Sequence, residues 1–221
     1  LTINSESVVD IAPRINADRA QQSILPWQNA KAQIALQGDF YADVIQYTLP
    51  SQHVPYSQEI RNFTHDCFPE NGTLWNGCQA LMQKIYSYVA FKPGFTTVNT
   101  PVESVLKSRK GVCQDLAHLM IACLRNIGLP ARYVSGYLET MPPPGKEKLV
   151  GTDASHAWVS VYFPDVGWVE FDPTNCLLPS YQHITVAYGR DYYDVAPIKG
   201  IVFSSGNQTL TVKVDVEQIN S

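Results

Sequence analysis

Apolar positions recur at spacings of three and four over Leu116, Leu119, Met120, Cys123, Leu124 and Ile127, which is the pattern of one buried helical face. The spacing predicts a helix opening at Cys113 and closing before Gly128, which suits the left-handed position after a helix; Pro130 then blocks continuation. Arg132 to Leu138 resumes as a strand. Upstream, Leu74, Leu81, Ile85, Tyr88 and Val89 predict a helix over about 74–91, stopped by Lys92-Pro93-Gly94. Thr100-Pro101-Val102-Glu103 has the pattern of a capped start: Thr100 at the cap, Pro101 in the first helical position and Glu103 three residues after the cap. A short helix to about Ser108 follows and delivers the chain to Gly111 and Cys113.

The period changes to two over Ser155–Phe163, where His156, Trp158, Ser160 and Tyr162 share one face and Ala157, Val159, Val161 and Phe163 the other. Pro164-Asp165-Val166-Gly167 turns the chain, and Trp168–Asp172 returns with Trp168, Glu170 and Asp172 on one face. An odd-length turn keeps His156 and Asp172 on the same side of this hairpin, and a turn centred on Pro164 sets them directly opposite. Ile184, Val186 and Tyr188 alternate in one further strand, and Leu210, Val212, Val214 and Val216 in another, with a turn at Ser204-Ser205-Gly206-Asn207. The loop over 139–155, with Met141-Pro142-Pro143-Pro144-Gly145, is long enough to border a cleft. In residues 1–58, Pro13, Pro26, Pro50 and Pro55 punctuate short segments, which reads as extended, β-rich structure, the remnant of a larger region. The plan is an N-terminal segment 1–58 and a domain 59–221 whose strands in 181–217 complete the sheet.

Composition narrows the function. The 221 residues are 45% hydrophobic and 16% charged, as in a globular chain with a sizeable core. A net charge of -4 leaves no basic footprint for nucleic acid, and the apolar run Leu116–Leu124 is too short to span a bilayer. Leu1 is no initiator, so the chain reads as a fragment or a processed product. Five scattered cysteines without a Cys-x-x-Cys pair give neither a disulfide framework nor a zinc site, which points to a reduced, cytoplasmic location with no metal and no cofactor.

The candidate chemistry lies in three residues. A cysteine at a helix start faces backbone N–H groups without helical partners and the positive end of the dipole, and both favour thiolate. His156 heads a strand and Asp172 ends the next, so Cys113, His156 and Asp172 supply a nucleophile, a base and a group that orients the base. Each alone also fits a structural role: a packed thiol, a strand histidine, a turn residue before Pro173. His118 lies about 140° around the helix from Cys113 and reads as structural. Asp115 suits the dipole but opposes a nearby anion. Cys123 and Cys176 read as packing or surface thiols, and Trp158 and Trp168 as core. The Cys113 backbone N–H is the first donor for an oxyanion, with Gln114, Trp75 and Asn99 as candidates for the second.

GVCQDLAHLMIACLRNIGLPARYVSGY, SHAWVSVYFPDVGWVEFDPTN and GRDYYDVAPIKG, in this order, resemble the bacterial transglutaminase-like superfamily, whose members are often described as cysteine proteases. The resemblance covers roughly residues 60–217. It implies a papain-like α+β fold with the nucleophile helix packed on an antiparallel sheet, and it assigns Cys113, His156 and Asp172 to a catalytic triad. The expected activity is hydrolysis of amide, peptide or isopeptide bonds in a peptide or protein substrate through a thioester. The alternatives are acyl transfer to an amine and a non-catalytic binding module on the same fold.

Overall fold

The computed structural model describes residues 2–36, 42–140, 154–196 and 212–219. In chain order it has helices α1 (Asn16–Gln21), α2 (Trp27–Leu36), α3 (Ala42–Ile45), α4 (Gln58–Thr64) and α5 (Leu74–Tyr88). Strand β1 (Ala90–Phe91), helix α6 (Val102–Ser108), strand β2 (Lys110–Gly111) and helix α7 (Cys113–Asn126) come next. Strands β3 (Ala131–Leu138), β4 (Ala154–Phe163), β5 (Gly167–Phe171) and β6 (His183–Gly189) follow, and α8 (Tyr192–Val195) is the last helix.

The fold is α+β. Strands β5–β4–β3–β6 form one antiparallel sheet in that order. Ala157, Val159, Val161 and Phe163 of β4, with Val169 and Phe171 of β5, enter the main core with α7. Helices α4, α5 and α6 pack on α7 from its other sides. This changes the expected single apolar face: every residue from Asp115 to Arg125 is buried, because the helix is enclosed all round. Arg125 is tolerated there because carbonyls receive its guanidinium, Ala131 from Nε at 3.0 Å, Leu49 from Nη1 at 3.0 Å and Arg190 from Nη2 at 2.6 Å. Gly128 has φ +85° and ends α7 as its position predicts.

The N-terminal segment is helical, not β-rich. Among its described residues the only bridges are Pro26 with Thr73 and Ser51 with Val54. Prolines that punctuate short segments suit helix entries as well as extended chain. Pro13 lies shortly before α1 and Pro26 directly before α2, where a fixed φ and a missing N–H are harmless. These helices meet the second face of the sheet: Ile34 of α2 and Val44 of α3 pack with Tyr162 of β4 and Trp168 of β5. The sheet is therefore covered on both faces.

Other boundaries also move. Helix α5 stops at Tyr88, and Ala90–Phe91 pairs with Lys110–Gly111 as a parallel two-residue ladder instead of continuing the helix. Thr100 does not cap α6. Pro101 occupies the cap position, and the Thr100 hydroxyl accepts from the Thr97 N–H at 2.9 Å. Of the two expected C-terminal strands, β6 joins the sheet beside β3. The described residues 212–219 form no strand; Val214 carries an isolated bridge and Val212 is 65% exposed. Alternation marks extended backbone there, and among the described residues that stretch carries only the bridge at Val214. Most of the 139–155 loop and the turn at 204–207 lie outside the described residues.

Candidate active site

The Lys110–Gly111 ladder ends two residues before Cys113, the start of α7, and sets where it enters. Val112 is extended at the cap position. It has no polar side chain, and Asp115 supplies the cap: its Oδ2 accepts from the Val112 N–H at 2.7 Å and from the Thr96 hydroxyl at 2.6 Å. Asp115 is thus spent on the helix start and on the 92–100 turn, and burial pushes its carboxyl pKa up. A raised pKa lessens its opposition to negative charge on Cys113. Cys113 itself is half-buried at the first helical position.

His156 stands opposite Gly136 in the β3–β4 ladder and is 8% exposed. The β4–β5 ladder runs from Val159↔Phe171 to Phe163↔Gly167 and so centres on Asp165, one residue beyond the expected Pro164. The three-residue turn preserves parity, and Asp172 lies diagonal to His156 instead of directly across from it. Diagonal neighbours remain within reach of long side chains. His156 Nε2 meets Asp172 Oδ2 at 2.8 Å, and Cys113 lies near enough to the imidazole to favour its charged form. With Nε2 given to Asp172, Nδ1 is the nitrogen left for the thiol. The structure thus brings together Cys113, His156 and Asp172.

Asp172 has no exposed surface. Its Oδ1 accepts the backbone N–H groups of Thr174 at 2.9 Å and Asn175 at 3.2 Å, which closes the turn that follows. Its Oδ2 accepts from His156, from the Asn175 side-chain amide at 2.7 Å and from His183 Nε2 at 3.1 Å. Burial alone would raise this carboxyl pKa, but the bonds from His156, His183 and Asn175 hold it well below the usual carboxylate range. For His156 burial opposes the cation, yet the bonds to Asp172 and Cys113 outweigh it and push the imidazole up to about 9. An imidazole set between a carboxylate and a thiol, with its charged form favoured, is the chemical character of the site.

Sequence reasoning missed His183, Asn175, Glu170 and Arg14. Trp158 gives the tilted His156 ring a neighbour at 5.9 Å and meets the His183 ring edge-on at 5.3 Å. Its indole N–H donates to Glu170 Oε2 at 3.0 Å, and Arg14 pairs with the same carboxylate. Arg14 also donates to the His183 carbonyl at 2.6 Å, so the N-terminal segment reaches the back of the site. Gly136 makes this packing possible. A Cβ there would lie 2.1 Å from the Ile184 carbonyl oxygen and 2.5 Å from the Trp158 ring.

The remaining candidates separate from this centre. His118 is buried; its Nε2 accepts the Tyr192 N–H at 3.1 Å, its ring stacks on His53 at 5.3 Å, and burial lowers its pKa to about 3. The Gln114 amide is engaged by the Val98 carbonyl at 3.2 Å, and Asn99 is exposed. Trp75 packs against Phe171, the residue before Asp172, at 5.7 Å. All five cysteines are free thiols, and burial pushes Cys123 up to about 12. His156, Asp172 and His183 each place a ligand atom within 4.8 Å of the others, a spacing a metal ion can bridge. Their hydrogen bonds to one another already satisfy these atoms. Among the described residues no helix is long and apolar enough to cross a membrane.

Comparison with known proteins shows the family. The sequence profile of the Transglutaminase-like superfamily matches residues 61–173. An uncharacterized Mycobacterium bovis protein, Mb2599c, is 40% identical over 222 residues, spanning 98% of this chain and 69% of its own. A Pseudomonas aeruginosa protein-glutamine gamma-glutamyltransferase is 34% identical over 105 residues, 45% of this chain and 16% of that one. A crystal structure from Cytophaga hutchinsonii, provisionally described as a cysteine protease, is similar with a TM-score of 0.59 and 30% identity, over 70% of this chain and 49% of that one.

Proposed function

Because the chain belongs to the transglutaminase-like superfamily, we propose that it is a thiol hydrolase of amide, peptide or isopeptide bonds in peptide or protein substrates. The observation that carries this reading is the buried His156 imidazole, 2.8 Å from the Asp172 carboxylate and close enough to Cys113 for the thiol to favour its charged form. In the reaction His156 Nδ1 takes the Cys113 proton, and the thiolate attacks the substrate carbonyl. The Cys113 backbone N–H, free at the start of α7, faces the developing oxyanion. The imidazolium gives its proton to the departing amine, leaving a thioester on Cys113. Water then gives a proton to His156 as it attacks the thioester; the acid leaves and the thiol is restored. Asp172 holds the ring direction and offsets its positive charge throughout. Five unpaired cysteines suit a reducing compartment such as the cytoplasm.

Acyl transfer to an amine is the second reading, favoured by the likeness to the Pseudomonas glutamyltransferase. Transfer needs a dry channel at the thioester. The 139–155 segment carries Lys146, Glu147, Lys148 and Asp153, a composition suited to wetting a cleft. Profiling against peptide and isopeptide libraries, with Cys113→Ala as control, should reveal turnover that is lost in the variant. With millimolar primary amine present, the hydrolysis product should still dominate by mass spectrometry. An amine adduct as the main product would move the assignment to transfer. No turnover, with Cys113 alkylated no faster than Cys176, would leave a binding module.

A further inference from the structure

His183 lies outside the three-residue arrangement that the sequence suggests, yet its ring touches the same carboxylate oxygen as His156. The distances to Asp172 Oδ2 are 3.1 Å from His183 Nε2 and 2.8 Å from His156 Nε2. The two rings are 5.9 Å apart, and Trp158 packs against both. Two imidazoles on one oxygen cannot do the same task, and their other nitrogens tell them apart.

The other nitrogen of His183, Nδ1, accepts the Ser180 backbone N–H at 3.3 Å. A backbone N–H can only donate, so Nδ1 presents a lone pair and the single ring proton sits on Nε2, aimed at Asp172. A doubly protonated His183 would set two N–H groups against each other at Ser180. The His156 ring has no such restriction, since Cys113, the group that acts on it besides Asp172, can give up a proton. The Ser180 bond therefore sets the tautomer of His183, whereas His156 keeps its second nitrogen for Cys113. The charged and titratable groups around His183 are Asp172, His156 and the Arg14–Glu170 pair, with Arg14 on its carbonyl.

We propose that His183 is a positioning residue of this site: as a neutral Nε2–H donor it fixes the Asp172 carboxylate in the orientation that receives His156. The turn N–H groups hold only Oδ1, so the direction of Oδ2 depends on side-chain donors. Asn175 approaches from the same turn and moves with Asp172. His183 comes from β6, a separate strand tied to β3 and, through its carbonyl, to Arg14. It is the donor that references Asp172 to the rest of the sheet. Neutrality is part of the role, because a second cation on Oδ2 would compete with the imidazolium for the same negative charge. A metal ion bridging the three residues would need a lone pair on His183 Nε2, the reverse of the tautomer that the Ser180 bond requires.

The inference rests on the Cys113–His156–Asp172 reading, and the test separates the two. In the wild-type chain, ring nitrogen NMR should show His183 protonated at Nε2 and bare at Nδ1 across the pH range where Cys113 reacts with iodoacetamide. A proton on Nδ1, or a cationic ring, overturns the proposal without any variant. His183→Met has the length of Gln but no donor, and His183→Gln keeps an amide donor near the Nε2 position. The Met variant should slow Cys113 alkylation at pH 7 by about 10–100-fold, on the scale of the loss when the partner that orients a metal-binding histidine is removed, and should lower the His156 NMR titration midpoint. The Gln variant should stay within about threefold of wild type with the His156 midpoint unmoved, which a purely structural role does not require. Met alkylated as fast as wild type, or Gln as slow as Met, overturns the role of His183 alone. Wild-type Cys113 reacting no faster than Cys176 overturns the underlying site and this inference together. If the Met variant does not fold, the tautomer and the Gln variant decide.

Discussion

Replacing Asp172 by asparagine preserves shape and removes the charge, so its consequences follow from the five donors around that carboxylate. The asparagine oxygen can still take the two backbone N–H groups of Thr174 and Asn175. Its NH2 then stands where Oδ2 was, facing His156 Nε2, His183 Nε2 and the Asn175 amide. Three donors meet a fourth. His156 can relieve this by moving its proton to Nδ1 and accepting at Nε2, but the N–H then points at Cys113 and the ring can no longer take the thiol proton. The electrostatic share is set by the imidazole, held at about 9 against a usual 6.5. That gap is worth about 3 kcal/mol, or on the order of 10²–10³-fold; Asp172 and Cys113 both contribute to it against the opposing effect of burial, so it sets the scale of the loss in the thiolate–imidazolium pair. Turnover should fall further, toward the roughly 10⁴-fold seen when a triad aspartate is made asparagine in a serine protease. Iodoacetamide labelling of Cys113, followed by peptide mapping from pH 5 to 10, reads the pair directly, with a thermal melt to establish folding. A folded Asp172→Asn protein whose Cys113 labels at the wild-type rate, with the same pH profile, would falsify the assignment of Asp172.

Two further outcomes follow. Gly136→Ala forces a methyl group against the Ile184 carbonyl and the Trp158 ring, so it should cost about 1–3 kcal/mol or more and slow Cys113 labelling; an unmoved denaturant midpoint would refute that packing argument. His118 is held near 3, below its usual 6.5, so the unfolded chain takes the proton first: stability present above pH 6.5 should drain away toward pH 3, by about 1.4 kcal/mol per pH unit, and a His118→Gln variant that loses stability in parallel with wild type would exclude His118 as the cause. The sign is opposite for His156, whose raised value contributes stability that is full below pH 6.5 and lost as pH rises through about 9.

What was legible in the sequence was what depends on local periodicity. The helix opening at Cys113, the left-handed Gly128 and the strand ending at Leu138 follow from spacing and from the backbone limits of glycine and proline. The hairpin was legible, but the same-side placement of His156 and Asp172 depended on an odd-length turn that turn chemistry does not dictate; the ladder supplies a three-residue turn centred one residue beyond the expected position. The N-terminal helices were not legible. They are short, α2 has little amphipathic contrast, and their prolines lie just before helix starts, where strand breaks and helix entries look alike. His183 and Arg14 were hidden for another reason. Nothing local says that β6 pairs with β3, or that residue 14 crosses behind residue 183. Such placements come from tertiary packing, which a period of two or 3.6 does not record.

Asp172 shows why two sequence readings that looked like rivals are compatible. As a turn residue before Pro173 it had a structural explanation, and as the partner of His156 it had a chemical one. Its two oxygens divide these tasks. Oδ1 closes the turn through Thr174 and Asn175, and that closure fixes the side chain so that Oδ2 can face the sheet. A carboxylate with no solvent exposure is costly unless its lone pairs are filled. Here five donors fill them, and only His156 is placed to become charged by taking a proton from Cys113. The turn is therefore the means by which the chain can afford a buried anion beside a strand histidine. The register shift that moved Asp172 off the direct pair position is harmless for the same reason: the orientation of Oδ2 is set by its donors and not by the ladder.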